Sequence, residues 1–560
     1  MPRRRGRNAK QAPAITDSQD LERKAEKALD SKNYKTAVEL YSFALQVNPD
    51  NATVLGNRAK VYLQLEQYER AAADAEASLQ LAGGQDQEAR FSLAKALYGL
   101  RRYEEAASEL NKLQSGEVGE TRVSARKREI QELAESVECR IEEKVHGKYD
   151  LINMLKEAKE TATPYLNHAD FVGPVRVVQV EGKGKGMIAT SRISAGTLIL
   201  CCKAYAMVFE EERKLAGNVT VTDGTYDELL VSKVIEKMER QPGTVADVYS
   251  LFSGADMPAL DDPPEATLQI DSSRVKKIVT HCAFQPYHVA HLWEPVVPLL
   301  PNGRITGLWI LPSFLNHSCL ANARQNFIGD FLFVRAMNVI EKGEEISLSY
   351  CDPFLDQTSK DRLYGFLCQC SLCSFAREHP EMTKVRSLLT RRFERLKLLI
   401  KMVDYSVLPE LRQVIRSLRR SFEDSTHSDS GPIPLELYEP LMAESNLFFF
   451  VGRFEEAVNP LLEGFELLPR IGNGASNALA RTDIAWRLRD IYKKLGKSEE
   501  IKKWRKRARE EFKVMFGDCE KVWKMYVEDY DRAHASPMAS SMGNTLNMFM
   551  SLMALQDFRH

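Results

Sequence analysis

Residues 315–350 read LNHSCLANARQNFIGDFLFVRAMNVIEKGEEISLSY, and the folding of this stretch decides the class of the chain. Two runs, Ala323 to Phe327 and Phe331 to Val334, flank Gly329-Asp330, the signature of a tight β-hairpin. Polar and thiol groups crowd the entrance at Asn316, His317 and Cys319, and an acidic pair followed by Tyr350 closes the exit. A cysteine-rich run, CQCSLC, follows at 368–373. Upstream, Val175, Val177, Val178 and Val180 lead into EGKGKGMIAT and AGTLILCC, which read as short strands joined by glycine turns. Between the two β segments, residues 208–300 alternate helical patterns such as YDELLVSKVIEKMER with proline-containing loops. The pattern predicts a β-rich domain split by a helical insertion.

The N-terminal part follows another rule. Tyr34, Tyr68 and Tyr103 recur, each followed three residues later by Ala37, Ala71 and Ala106; Ala25, Ala59 and Ala94 keep the same register. Tyr41, Ala44 and Pro49 complete the first unit. A period of about 34 residues belongs to a helix-turn-helix repeat, in which small residues let two antiparallel helices approach and large ones fill the gaps. Residues 18–120 resemble tetratricopeptide (TPR) repeats, an α-solenoid. Residues 121–164 read as charged linker helices with a solvated face. Beyond Arg377 helical patterning returns, with Phe454, Ala457 and Pro469 in the places of Tyr34, Ala37 and Pro49, which predicts a TPR-like C-terminal region over 377–531, interrupted by the polar stretch from Asp424 to Pro434. Residues 1–17 and 532–560 read as flexible tails, the first of them basic.

Lys plus Arg total 77 against 78 for Asp plus Glu, a balance that gives no electrostatic case for a nucleic-acid or membrane partner. No apolar stretch long enough to span a bilayer is found, so the expectation is a soluble, monomeric chain in the cytoplasm, the nucleus or both. Ten cysteines are too few for a disulfide scaffold, so clustered thiols are read first as metal ligands. Structural zinc takes four ligands in a tetrahedron, and Cys368, Cys370 and Cys373 supply three from one short loop. Cys139, Cys201, Cys202, Cys282 and Cys519 read as thiols without partners.

In their order, GKG at 184–186, LNHSC at 315–319, GEEISLSY at 343–350 and CQCSLC at 368–373 resemble the SET domain of protein-lysine methyltransferases. The preceding DFVGPV, the helical insertion and the helical C-terminal region look most like the SET-and-MYND subgroup, although no MYND zinc module is present. The fold class expected is α+β and multidomain: a SET domain over 165–352 with its insertion, then a post-SET zinc segment over 353–376. The resemblance implies S-adenosylmethionine as cofactor, with Lys185, Gly186, Asn316, His317 and Phe366 around it and the Tyr350 hydroxyl orienting the amine and the methyl. It also implies Cys319 as the fourth ligand of a structural Zn²⁺, with Cys351 as the alternative. Glycines at 184 and 186 suit close approach of backbone to a ligand. Relatives carry Asn where Cys282 stands, so one hydrogen bond to the cofactor is expected to be missing, worth about 0.5–1.5 kcal/mol.

The function expected is lysine methylation of a protein, histone or not, with the repeats recruiting protein partners. The alternative is a TPR adaptor whose SET domain is catalytically degenerate. A receptor for chaperone tails fits poorly, because Glu22 and Glu26 stand where such repeats carry Lys and Asn, and only Asn57 matches.

Overall fold

The computed structural model describes residues 18–114, 123–215, 227–254, 256–257, 270–286, 305–350, 366–423, 434–467 and 480–534. The basic tail, Pro469, Cys351, nearly all of the polar stretch at 424–434 and the last 26 residues lie outside them. The chain forms two compact units, residues 1–148 and 149–560.

The first unit is helical. Helices α1 (Ser18–Asp30), α2 (Tyr34–Val47), α3 (Ala52–Gln64), α4 (Tyr68–Leu81), α5 (Gln87–Gly99) and α6 (Tyr103–Gln114) form three consecutive pairs. Each tyrosine of the repeat opens the second helix of its pair, and Asn33, Asn51 and Asp86 cap helix starts by accepting from backbone N–H groups. Ala25, Ala59, Ala94, Ala37, Ala71 and Ala106 are all 0% exposed, so the period marks the places where helices touch. The turn within each pair places Lys32, Glu66 and Arg101 at positive φ, a left-handed conformation at the same interval as the tyrosines. At Gly99 a Cβ would stand 2.4 Å from the Tyr68 ring, so only glycine permits that crossing.

The stretch read as a linker divides. Helix α7 (Val123–His146) packs on α5 and α6, with Val137 buried and the Arg126 guanidinium 4.1 Å above the Phe91 ring. Gly147, at φ 61°, ends it. Helix α8 (Leu151–Glu160) buries Leu151, Met154, Leu155 and Ala158 in the second unit.

That unit holds the β structure. Strands β1 (Phe171–Val172), β4 (Leu198–Lys203), β9 (Phe331–Ala336) and β8 (Ala323–Ile328) make one antiparallel sheet in the order β1-β4-β9-β8. Strands β2 (Val175–Val180), β3 (Gly184–Ala189), β10 (Glu345–Leu348) and β7 (Asn316–His317) make a second, in the order β2-β3-β10-β7, and β5 (Ala206–Val208) pairs with β6 (Thr306–Leu308). The β8–β9 hairpin forms as its sequence predicts, with Gly329 at φ 55° in the turn. The insertion supplies α9 (Glu210–Leu215), α10 (Glu228–Arg240), α11 (Val245–Tyr249) and α12 (Ser272–Cys282), and the last three with β5 and β6 enclose a core of their own around Leu230, Val234, Val248, Val275, Ile278 and Leu308.

After the cysteine run come α13 (Ser371–Glu378), α14 (Pro380–Lys401), α15 (Leu408–Glu423), α16 (Tyr438–Phe450), α17 (Phe454–Leu467), α18 (Ala480–Lys494), α19 (Ser498–Phe516) and α20 (Glu520–His534). Phe454 opens α17 as Tyr34 opens α2, and Ala457 is 0% exposed. Helix α20 runs two residues past the expected start of the C-terminal tail. Helices α14 to α20 share one core with α8 and with Ile328, Phe331 and Phe333 of the hairpin. Thus the chain is a mixed α+β protein: a helical repeat region, a β-rich region and a helical C-terminal part.

The hairpin meets the helices through an uncommon contact. Arg324 and Arg335 stand opposite each other on β8 and β9. Arg324 is almost fully buried, donates to Met515 Sδ at 3.1 Å, and has no carboxylate partner among the described residues; burial alone lowers its pKa to about 9. The carbonyl end of α19 is the compensating partial negative charge, and Asn326 donates to Met515 O beside it. A buried cation without a carboxylate carries a desolvation cost that its contacts do not recover. Arg324→Met should therefore leave stability unchanged or raise it by about 1–4 kcal/mol in urea unfolding. Ala59→Leu should do the reverse, overfilling a contact with no free space and costing about 1–3 kcal/mol.

Candidate functional site

The second sheet builds the site. Parallel pairing of β10 with β7 sets Ser347 opposite Asn316 and Leu348 opposite His317, while antiparallel pairing sets Ile346 opposite Met187 on β3. The GKG turn, the LNHSC motif and the end of GEEISLSY therefore meet on three neighbouring strands. Gly186 must be glycine, because a Cβ there would lie 2.6 Å from Val180 and 2.7 Å from Asn316 Nδ2.

Asn316 donates through Nδ2 to Lys185 O (3.3 Å) and to Glu345 Oε1 (2.9 Å). Both partners only accept, which fixes the amide orientation and leaves Oδ1 as an acceptor facing away from them. Glu345 also pairs with Lys183 at 2.6 Å. The sequence reading passed over Glu345 and Lys183, and its only available signal was the second acid of GEEIS.

Tyr350 donates its hydroxyl to Leu315 O at 2.6 Å and its backbone N–H to His317 Nδ1 at 3.1 Å. Its residue surface is 48% exposed, yet the hydroxyl end turns inward, and desolvation first, then Cys282 and Glu345, raise the phenol pKa well above its ordinary value. Phe366 places its ring 6.3 Å from that of His317, and the Tyr350 ring lies 5.2 Å from it. Lys185, Gly186, Asn316, His317, Tyr350 and Phe366 are thus brought together.

The Sγ atoms of Cys319, Cys368, Cys370 and Cys373 all lie within 4.8 Å of one another. Zn–S bonds of about 2.3 Å in a tetrahedron put sulfurs just under 4 Å apart, so the cluster fits a structural zinc site. Hydrogen bonding among the thiols, that from Cys319 first, holds the Cys370 pKa down to about 6 and lowers Cys368, while Cys373 is raised, so the four share their protons unequally. Thiolate character is what a metal ligand requires. Cys319 is the fourth sulfur among the described residues, and Cys351 lies outside them.

Cys282 ends α12, where its thiol donates to Phe252 O at 3.4 Å. That contact corrects the reading of Cys282 as partnerless; burial pushes the thiol pKa up to about 12. Cys201 and Cys202, buried on β4, have interactions of their own as well.

Comparison with known proteins agrees with this geometry. A SET domain family model matches residues 184–351, and a tetratricopeptide repeat model matches residues 28–73. A "Methyltransferase" from Gibberella zeae is 26% identical over 81% of this chain and 64% of its own length. "Histone-lysine N-methyltransferase ASHR1" from Arabidopsis thaliana is 29% identical over 32% of this chain and 39% of its own, and "N-lysine methyltransferase SMYD2" from Gallus gallus is 36% identical over 14% and 18%. The chain thus spans less than two thirds of each of these relatives. The chain thus carries a SET domain together with TPR repeats. SMYD-type and other lysine methyltransferases are among its relatives.

Metal analysis of the purified chain should return about one zinc per molecule. Cys370→Ser should lower the content and raise chelator sensitivity; full occupancy in that variant would remove Cys370 from the ligand set.

Proposed function

We propose that this chain is an S-adenosylmethionine-dependent protein-lysine N-methyltransferase whose TPR repeats recruit protein partners. The convergence of Gly186, Asn316 and Tyr350 on neighbouring strands, beside a four-thiol cluster, carries this reading. The cofactor, when bound, supplies an electrophilic methyl group on a sulfonium. Every other requirement falls to the chain.

Lys185 and Gly186 offer backbone at close range, and the Asn316 carbonyl oxygen, oriented by Glu345, suits an ammonium group such as that of the cofactor's amino-acid part. Phe366 offers a ring for adenine. The Tyr350 hydroxyl, tethered to Leu315 O, keeps its lone pairs to orient an incoming lysine amine, which reacts only when neutral. The zinc cluster ties the loop bearing Phe366 to Cys319, so loop order and cofactor retention go together. Cys282, with its thiol turned to Phe252 O, offers no amide to the cofactor.

Incubation of the chain with methyl-labelled cofactor and cell lysate should label protein on lysine. Tyr350→Phe should cut the rate by about 10²-fold or more while calorimetry shows cofactor affinity little changed. Equal labelling by the variant would overturn the assignment of Tyr350, and absence of cofactor binding by the wild type would favour the adaptor reading. Burial raises the Tyr350 pKa, so the phenol stays protonated through the range where an ordinary tyrosine near 10 begins to ionise. The rate should accordingly climb with pH as substrate lysine loses its proton, with no decline attributable to Tyr350 below pH 10.

A further inference from the structure

His317 stands beside Asn316 in the LNHSC motif, but both nitrogens of its ring are engaged within the chain. A backbone N–H can only donate, so the 3.1 Å contact from Tyr350 N makes His317 Nδ1 an acceptor and bars a proton from it. The neutral ring then carries its proton on Nε2, which stands 3.3 Å from Cys319 Sγ and donates to it. The ring is buried, and its strand position opposite Leu348 holds it between the two partners. Both ring nitrogens are occupied, one by the backbone of Tyr350 and one by a sulfur of the cluster.

We propose that His317 is a positioning residue that couples the thiolate cluster to Tyr350, rather than a side-chain ligand of the cofactor. The proposal rests on the reading of the four thiols as a zinc site. An N–H group donated to a metal-bound thiolate withdraws charge from that sulfur and orients it, as partners of ligands do in metal sites generally. In turn, the thiolate fixes the tautomer that accepts from Tyr350 N–H, so the backbone that carries the Tyr350 ring is registered against the metal. His317 thereby makes one unit of two features that the sequence lists separately.

Two amide substitutions separate the two halves of the bridge. Asn places its oxygen near the site of Nδ1 and keeps an acceptor for Tyr350 N–H, but does not reach Cys319. Gln places its nitrogen near Nε2 and keeps the donor to Cys319, but loses the acceptor. The full chain would be compared as wild type, His317→Asn and His317→Gln by chelator competition for zinc, by the thiolate-to-metal charge-transfer band of the Co²⁺-substituted protein, and by methyl-transfer rate against cofactor affinity. His317→Asn should weaken zinc by about 10- to 100-fold and move the band to longer wavelength. His317→Gln should hold zinc within about threefold of wild type and keep the band, while kcat falls about tenfold or more at unchanged cofactor affinity. A zinc-bearing wild type whose Asn variant keeps both affinity and band, or whose Gln variant keeps its kcat, overturns the coupling alone. A wild type that binds no zinc overturns the metal reading first, and the coupling with it.

Discussion

The parallel pairing of β10 with β7 is the constraint on which the site depends. Parallel strands cannot be joined by a tight turn, so the chain between them must leave and return, and here it does so as the β8–β9 hairpin. Only two residue pairs define the ladder, yet they bring Asn316 and His317 beside the exit to Tyr350. A slip of one residue would turn every side chain to the opposite face and dissolve the arrangement. The hydrophobic filling of Ile346 and Leu348, both 0% exposed, holds the register.

The pairing explains what the glycines and the acid are for. Gly186 admits Asn316, and Glu345 captures the amide that results, so a missing Cβ and a carboxylate cooperate on one side chain. The thiol cluster extends the same logic beyond the sheet, since Cys319 follows two residues after His317 while Cys368 and Cys370 arrive from the segment leading into α13 and Cys373 from its first turn.

Much of the fold was legible because its signals are local or periodic. The repeat alanines recur where helices touch, and a hairpin needs only two strands and a turn residue that accepts positive φ. The cysteine run was legible because metal geometry tolerates few spacings. Contacts between distant residues were not. Glu345 meets Asn316 across 29 positions and Lys183 across 162, and nothing in GEEIS distinguishes an acid that orients an amide from one that faces water. The contacts of the His317 ring were hidden for the same reason: sequence order places it next to Asn316, whereas hydrogen-bond direction decides what its ring can do. Helix α8 looked like linker because it continues the charged stretch before it, but Leu151, Met154 and Leu155 lie on one face and are buried.

The core shared by α8, the hairpin and the C-terminal helices has a wider consequence. The hairpin that connects the two halves of the ladder is wetted on one face unless α19 covers it, so the β-rich and helical regions cannot drift apart in evolution as separate modules. Inherited changes in helices far from any reacting atom will be filtered by how they alter the bed on which that hairpin lies. Variation in those helices is then a route by which selection reshapes the site without touching one of its residues.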